Sequence, residues 1–373
     1  MNILFLIYHG LDAASGISKK IIAQVEGLKQ SGHEVHLCTY DIREDGHRCR
    51  FVNGKVISDF GAGKMAALRK RCSYGDVYRY CVDNRIDAVY VRSFHNANPW
   101  TIRLFKRLRK AGIPSVMEIP TYPYDSEYVG FPIKERLELK MDQIFRHRLS
   151  AQMSGIVTFS DVDPIFGKRS IKISNGIDFG AIPVRQPIGQ RPGELHLLGV
   201  AEVHYWHAYD RMIKGLAAYY AANPNPAVKV YFHIIGGVCE ADRVPWTAYI
   251  EEQNIVPYVI FHGRKSGEEL TDAFNMADFA IGSLGRHRSG IDKIKTLKNR
   301  EYAARGIAFI YSETDDDFEQ MPYVLKAPAD ETPISVERII EFHSQCKLSP
   351  MEIRESIKHC SWKNQMNEVI KAL

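Results

Sequence analysis

The sequence has no run of about 18 or more apolar residues, the length a helix needs to cross a bilayer, so no segment reads as a membrane span. The opening MNILFLIYHG is apolar but too short for a signal peptide and has no basic lead, so the expected compartment is a reducing cytoplasm. Cysteine is sparse and scattered. There are seven, an odd number with no Cys-x-x-Cys, which leaves no basis for a disulfide framework or a zinc site. His-Glu-x-x-His, the Gly-Lys-Ser/Thr phosphate loop and a Gly-x-Gly-x-x-Gly after the first strand are all absent, which removes the motifs of zinc peptidases, P-loop enzymes and dinucleotide dehydrogenases. Charge of one sign is also modest. The net charge of +5 and pI near 8.7 suit an anionic ligand or membrane surface, and with no finger or RNP-type motif, nucleic acid is not an expected partner.

What is present is an ordinary apolar core fraction, 45%, with 25% charged residues and 19 tyrosines, enough rings to line a binding site. At 373 residues the chain exceeds what one core usually fills, so two domains are expected. Asn2–Tyr8 has the length and composition of a buried strand, Ile17–Ser31 has helical spacing ended by Gly32, and Glu34–Thr39 reads as the next strand. This βαβ rhythm continues through strands at Ala88–Arg92, Ser115–Ile119 and Gly155–Ser160, with helices at Thr101–Lys110 and Ile133–Leu149. Three prolines and two glycines in Ala181–Glu194 predict a linker. The rhythm restarts beyond it, with strands at Leu195–Ala201, Val228–Ile235, Val259–His262, Phe279–Ser283 and Ile307–Tyr311 and a helix at Ala208–Ala222. The expected fold class is α/β, with two Rossmann-like doubly wound domains, residues 1–180 and 195–350, facing a cleft across the 181–194 linker. The amphipathic tail, 361–373, is expected to pack back on the first domain.

Five segments carry a family likeness: the glycine-bearing loop Gly10–Ser18; Ile173-Ser174-Asn175-Gly176-Ile177-Asp178; His233–Gly237 followed by VIFHGRKSGEEL at 259–270; Trp206-His207-Ala208-Tyr209-Asp210-Arg211; and Leu297–Gly306, LKNREYAARG. In order and spacing they resemble retaining glycosyltransferase family 4, a GT-B family, in its bacterial polysaccharide-assembly members. The resemblance implies transfer of a sugar from a nucleotide-diphosphate donor, held by the second domain, to a glycan or lipid-linked acceptor on the first. It also implies retention of configuration, no metal and no cofactor beyond the nucleotide sugar.

Such a reaction builds negative charge on the departing diphosphate, which cations and helix N-termini stabilise. The cation- and glycine-rich stretch 285–298 follows a strand and opens a helix, so Arg288, Lys293 and Lys298 are candidate diphosphate contacts. Lys298 and Glu301 share a helix face; spacing alone favours an exposed ion pair, whereas the resemblance makes Glu301 the ribose-binding carboxylate. Arg286, His287 and Arg288 read equally as a solvated basic loop. Gly16 in the first loop and His207 complete the donor set. The family pattern is altered here: Lys293 replaces the first of two glutamates, and Glu202 and His207 occupy roughly the places of an Arg and a Lys.

On the acceptor side, Met117–Asp125 follows a strand directly. Tyr122 and Tyr124 suit stacking on sugar rings, Glu118 or Asp125 suits hydroxyl binding, and His95 lies after another strand end. The alternative is a turn with its rings in the core. Glu118, Lys298 and Glu301 form the candidate catalytic set. Asp161-Val162-Asp163 reads as a helix cap and Asp315-Asp316-Asp317 as a solvated loop, leaving no expected metal site. The cationic faces of Thr101–Lys110 and of Lys64, Arg69, Lys70 and Arg71 suggest a peripheral contact with anionic membrane, or a plain sheet-covering helix. Two other functions fit the same scaffold: a sugar-nucleotide epimerase, and a non-catalytic subunit of a polysaccharide-assembly complex.

Overall fold

The computed structural model describes residues 1–12, 15–125, 132–189 and 191–373. The chain divides into two units, Met1–Gly176 with Ser361–Leu373, and Ile177–Cys360.

The first unit runs β1 (Asn2–Leu6), α1 (Gly16–Gln30), β2 (Glu34–Ile42), β3 (Arg48–Val52), β4 (Lys55–Asp59), α2 (Gly63–Cys72), α3 (Gly75–Asp83), β5 (Ala88–Arg92), α4 (Pro99–Lys110), β6 (Ser115–Ile119), α5 (Ile133–Ser150), β7 (Gly155–Thr158) and β8 (Ser170–Lys172). Its sheet has the order β4-β3-β2-β1-β5-β6-β7-β8 and is parallel except that β3 runs antiparallel to both its neighbours, β2 and β4. The central strands β5 and β6 are buried along their whole length, so they show no apolar–polar alternation, and even their polar members Arg92, Ser115 and Glu118 are buried. The hairpin β3–β4 turns on Asn53-Gly54, both with positive φ (47° and 79°), the geometry an Asn-Gly pair favours. The strand order reverses beside β1 and β5, so the loops after those strands meet at a switch point.

Helix α4 starts at Asn98, whose side chain accepts from the backbone N–H of Trp100 and Thr101 at 2.9 and 3.0 Å. It buries Leu104, Phe105 and Leu108 and turns its cations outward, so it is a sheet-covering helix with a solvated polar face. The expected cap at Asp161–Asp163 is corrected: no helix follows, and Asp163 accepts from the Ser170 N–H at 2.7 Å within a loop.

The second unit runs β9 (Glu194–Val200), α6 (Tyr209–Ala222), β10 (Lys229–Ile235), α7 (Glu240–Glu252), β11 (Val259–Gly263), α8 (Gly267–Met276), β12 (Phe279–Ile281), α9 (Leu297–Arg305), β13 (Phe309–Tyr311), β14 (Val324–Lys326), α10 (Val336–Gln345) and α11 (Pro350–Ser356). All six strands are parallel, in the order β11-β10-β9-β12-β13-β14, with the reversal between β9 and β12. Gly236 after β10 has φ 122°, and a Cβ there would lie 1.6 Å from the Ala201 carbonyl oxygen; only glycine lets the loops after β9 and β10 approach this closely.

Two expectations are corrected in this unit. The proline-rich segment does not stand free as a linker. Arg185 donates to the Gly306 carbonyl at 3.2 Å, Gln186 N–H to Asn275 at 2.8 Å, and Arg191 to the Met276 carbonyl, which lays the segment along the second unit. The Asp315–Asp317 run is not a solvated loop either. Asp315 and Arg300 are both fully buried and joined at 2.7 and 3.1 Å, with Asp317 a further partner of Arg300. An unsatisfied guanidinium in the core would be prohibitive, so the acidic run is drawn inward to neutralise it.

The closing helix α12 (Trp362–Lys371) belongs to the first unit and lies on α1. The contact is close enough that a Cβ on Gly27 would meet the Trp362 carbonyl carbon at 2.7 Å.

Candidate functional site

In the second unit the loops after β9 and β12 meet at the switch point. The Leu284 N–H donates to the His207 carbonyl at 3.0 Å, and Gly285 N–H to the Trp206 carbonyl at 3.2 Å. Gly285 permits this, since a Cβ would fall 2.5 Å from that of Ala208. Ala208 has φ 48°, a left-handed conformation that costs a non-glycine residue about 1 kcal/mol and that the surrounding loop contacts enforce. From this junction three basic side chains converge. Arg286 opens a short 3-10 turn, Arg286–Ser289, and lies 5.4 Å from the Trp206 ring. Its Nε is buried with no hydrogen-bond partner among the described residues. Lys298, in the first turn of α9, donates to the Tyr209 hydroxyl at 3.3 Å. Neither cation forms a salt bridge to a carboxylate among the described residues. His207 accepts from the His204 backbone N–H through Nδ1 at 2.9 Å, so Nε2 carries its proton.

The electrostatics follow from crowding. Burial, reinforced by the fields of Lys298 and Arg286, lowers the His207 pKa to about 2, so it is a neutral N–H donor rather than a cation. Burial also lowers the Lys298 pKa to about 7, opposed by Glu313 and assisted by Arg286. Glu313 follows β13 and is 2% exposed, with Oε1 at 3.5 Å from the Asn299 amide and Oε2 without a partner among the described residues. Burial raises its pKa to about 7 against the pull of Arg286 and Lys298. The site is therefore two under-compensated cations, one neutral imidazole and one carboxyl poised at neutrality. An added anion would be stabilised by the two cations and the imidazole N–H, and would favour the protonated form of the carboxyl.

The residues named from sequence divide unevenly around it. Lys298 and His207 are in the site. Glu301, half-buried on α9, accepts from Arg305 at 3.0 Å through Oε1, while its Oε2 makes no hydrogen bond among the described residues. Arg288 is corrected. Asp210 grips it at 2.9 and 3.0 Å, and Glu331 takes its Nε at 2.9 Å, so its donors are spent on the protein. Lys293 is likewise held away by Asp316 at 2.7 Å, because the segment before α9 is bonded to the loop after β13 (Ile294 N–H to Thr314 O, 3.0 Å). Glu202 pairs with Arg264 at 2.7 and 2.9 Å, both exposed. Sequence reasoning missed Arg286 as the open cation and Glu313 altogether. The usable signal was position: each follows the end of a strand that flanks or neighbours the switch point.

In the first unit the acceptor candidates are mostly engaged. Glu118 is corrected: fully buried on β6, it accepts from Gln24 at 2.8 Å, Tyr90 at 2.5 Å and Arg92, with Lys20 at 3.7 Å. Burial pushes its carboxyl up, but Arg92, Lys20 and these hydrogen bonds outweigh burial and hold it below the ordinary range. It ties α1, β5 and β6 together and presents no oxygen to an acceptor hydroxyl. Tyr124 is also corrected. It is buried, donates to Asp142 at 2.6 Å, and its ring lies 3.8 Å from that of His95, stacked. Asp125 is held by Arg146 at 2.7 and 3.1 Å. Tyr122 is half-buried against Phe166. His95 lies on the wall of a groove of about 590 Å³ beside α2, α4 and α5, and burial lowers its pKa to about 4. Gly16, the first residue of α1, has open space where a Cβ would stand.

Among the described residues the cluster closest to a metal ligand set is Asp317, His359 and Cys360. Asp317 there already bonds Lys295 at 3.3 Å and Arg300.

No family model and no curated protein matches the sequence. The structure does have likenesses. Sucrose-phosphate synthase from Thermosynechococcus elongatus superimposes with a TM-score of 0.61 at 13% identity, over 99% of this chain and 97% of that one. The catalytic domain of starch synthase IV from Arabidopsis thaliana, bound to ADP and acarbose, gives 0.59 at 10% identity, over 100% and 98%. A lipopolysaccharide outer core galactosyltransferase gives 0.57 at 14%, over the whole of both chains. At these identities the likeness is one of fold, and the fold they share with this chain is GT-B: two α/β domains, each built on a Rossmann-like parallel sheet.

Proposed function

We propose that this protein is a glycosyltransferase that moves a sugar from a nucleotide diphosphate to a glycan or lipid-linked acceptor, with retention of configuration and without a required metal, in the assembly of a surface polysaccharide. The observation that carries the reading is the pair Arg286 and Lys298, two cations that form no salt bridge to a carboxylate among the described residues, at the switch point of the second unit. In the reaction, the bond from the anomeric carbon to the diphosphate breaks and a bond to the acceptor oxygen forms. The acceptor proton passes to the departing diphosphate. Arg286, Lys298 and the Nε2–H of His207 hold the charge that grows there. The starch synthase domain of the same fold is bound to ADP, which supports a nucleoside diphosphate as the ligand class.

Calorimetry with UDP and GDP tests the reading: one of them binds a transferase, and a protein-interaction subunit binds neither. Glu301→Ala is expected to weaken that binding by about 1–3 kcal/mol, the loss of a charge-assisted hydrogen bond to a ribose hydroxyl. Unchanged affinity would show that α9 is not the donor helix. Activity persisting in chelator tests the absence of a metal.

The pH dependence has a definite sign. A bound diphosphate favours the ammonium of Lys298 and the neutral acid of Glu313, so both pKa values, about 7 when free, rise on binding. Binding then takes up protons and is tightest below neutrality. Affinity for the nucleotide sugar is expected to fall roughly tenfold from about pH 6.5 to pH 8.5. A flat profile would place the anion elsewhere.

The Glu202–Arg264 pair favours a second reading, a non-catalytic nucleotide-binding subunit, because it removes one cation from the donor side. Hydrolysis of a nucleotide sugar in the absence of acceptor would decide for the enzyme.

A further inference from the structure

We propose that the second unit binds a neutral saccharide in a pocket between α6 and α7, walled by the rings of Tyr205, Trp246 and Tyr249 and separate from the cation cluster of Arg286 and Lys298. The pocket stands on its own geometry and is independent of the transferase reading.

The pocket encloses about 390 Å³, within the usual range of small-ligand sites. One wall is α7. Asp242, Trp246 and Tyr249 recur at helical spacing, so they share one face of that helix. Only Ile250 of α7 is buried, which leaves Trp246 and Tyr249 half-exposed on that face. The other wall is the start of α6, which contributes the buried Ile213. Tyr205 closes a third side. It is 53% exposed, and Trp206 braces its ring edge-on with 4.9 Å between centroids. Trp206 lies beside Arg286, so the turn Tyr205–His207 stands between the pocket and the cation cluster. The Tyr205 and Tyr249 hydroxyls and the Trp246 indole N–H make no hydrogen bond among the described residues. Scattered exposed rings need no explanation, but three around one concavity, each with an unspent polar tip, do.

Charge selects the ligand. Two carboxylates, Asp210 and Asp242, and two cations, Lys214 and Arg288, line the pocket. Asp210 is taken by Arg288 at 2.9 and 3.0 Å and by Lys214 at 3.2 Å. Arg288 spends its remaining donors on Glu331 and the Tyr205 carbonyl. A phosphate would therefore meet cations that are already paired, with two carboxylates beside them. A quaternary ammonium would find aromatic faces, but next to two cations. Asp242 forms no salt bridge among the described residues and accepts only from the Cys239 thiol, a weak donor, at 3.1 Å, so it keeps acceptor capacity. A neutral pyranose matches all of this. Its C–H face lies on the rings, and its hydroxyls donate to Asp242 and pair with the indole N–H and the phenols.

The test is proton–nitrogen NMR of the full chain labelled at tryptophan, whose four indole N–H signals report separate places. Trp246→Phe assigns the signal of the pocket. The methyl glycosides of glucose, galactose, mannose, rhamnose and N-acetylglucosamine are titrated, alongside glycerol and tetramethylammonium. At least one glycoside should shift Trp246 saturably with a dissociation constant of about 1–10 mM, the level a ligand of this size reaches. Glycerol lacks the ring face and tetramethylammonium lacks the hydroxyls, so each should bind more weakly by about tenfold or more. Tyr249→Ala and Asp242→Asn, both at half-exposed positions, should each weaken that glycoside by about fivefold or more. The signals of Trp100, Trp206 and Trp362 should stay in place in both variants, which shows that the fold is kept. No saturable shift with any of the five glycosides, tighter binding of tetramethylammonium, or variants that bind as the parent does would overturn the proposal. UDP and GDP added to the same samples separate the two readings, since a nucleotide at the cation cluster moves Trp206 and not Trp246. A nucleotide that moves Trp246 instead would make the pocket its own site and overturn the saccharide. A glycoside shift without any nucleotide shift upholds the pocket and sinks the transferase; a Trp206 shift with nucleotide and no glycoside shift does the reverse.

Discussion

Replacing Arg286 with Ala and Lys298 with Met in one chain is expected to weaken nucleotide-sugar binding by about 100-fold or more, while the protein stays folded. Each change removes a charge-assisted hydrogen bond worth about 1.5–3 kcal/mol, and the two act on one anion, so their sum is an upper bound. Folding is spared because neither side chain neutralises a buried carboxylate through an ion pair. Lys298 is itself held against its preference for water, as the lowering of its pKa to about 7 by burial shows. Arg288→Ala is the contrasting variant. It frees Asp210 and Glu331 from their shared partner, so its effect should appear in stability before it appears in affinity. Binding by the double variant within threefold of the parent would remove the diphosphate from this site.

Asp315→Ala is expected to cost the second unit about 3–5 kcal/mol, because it leaves Arg300 buried with part of its charge uncompensated. Arg300 and Asp315 are both without solvent exposure, and their pairing at 2.7 and 3.1 Å holds α9 against the loop after β13. Arg300 also donates to the Thr296 carbonyl at 2.9 Å, which fixes the start of the helix carrying Lys298. Thermal unfolding should therefore fall by roughly 10 °C, and nucleotide affinity should drop with it. The double variant Arg300→Met, Asp315→Leu should recover most of the stability, since replacing a whole buried pair by apolar groups is close to neutral. A loss below about 1 kcal/mol in the single variant would mean that Asp317 alone suffices for Arg300.

The βαβ rhythm was legible because β5, β6, β9 and β12 are buried over most or all of their length, and burial on both faces leaves short apolar-rich runs without polar alternation. The hairpin β3–β4 carried an Asn-Gly signal at 53–54, yet it lies in a charged stretch, Arg48 to Asp59, that gives little apolar pattern to accompany it. The helix bearing Lys298 and Glu301 was also readable, from its Thr296 cap and the Gly306 stop with φ 77°.

Which cation stays open was not readable. Arg286 and Arg288 are two residues apart in one basic turn, and composition treats them alike. They differ because Asp210, on α6, and Glu331, distant in sequence, reach Arg288 and not Arg286. Glu118 shows the converse. A carboxylate at a strand end looks like a ligand for hydroxyls until Lys20, Gln24, Tyr90 and Arg92 are seen to enclose it.

By itself the sequence determined the two α/β halves, the parallel sheets and the helix that presents Lys298. Those features rest on hydrophobic periodicity, caps and glycine, all of which act over a few neighbouring residues. Only the tertiary structure decided which charges are spent on the protein and which remain for a ligand, and which aromatic side chains stay uncovered between α6 and α7. Both outcomes depend on partners brought from tens of residues away, and an ionic or apolar side chain has no local signature of whether it will meet one.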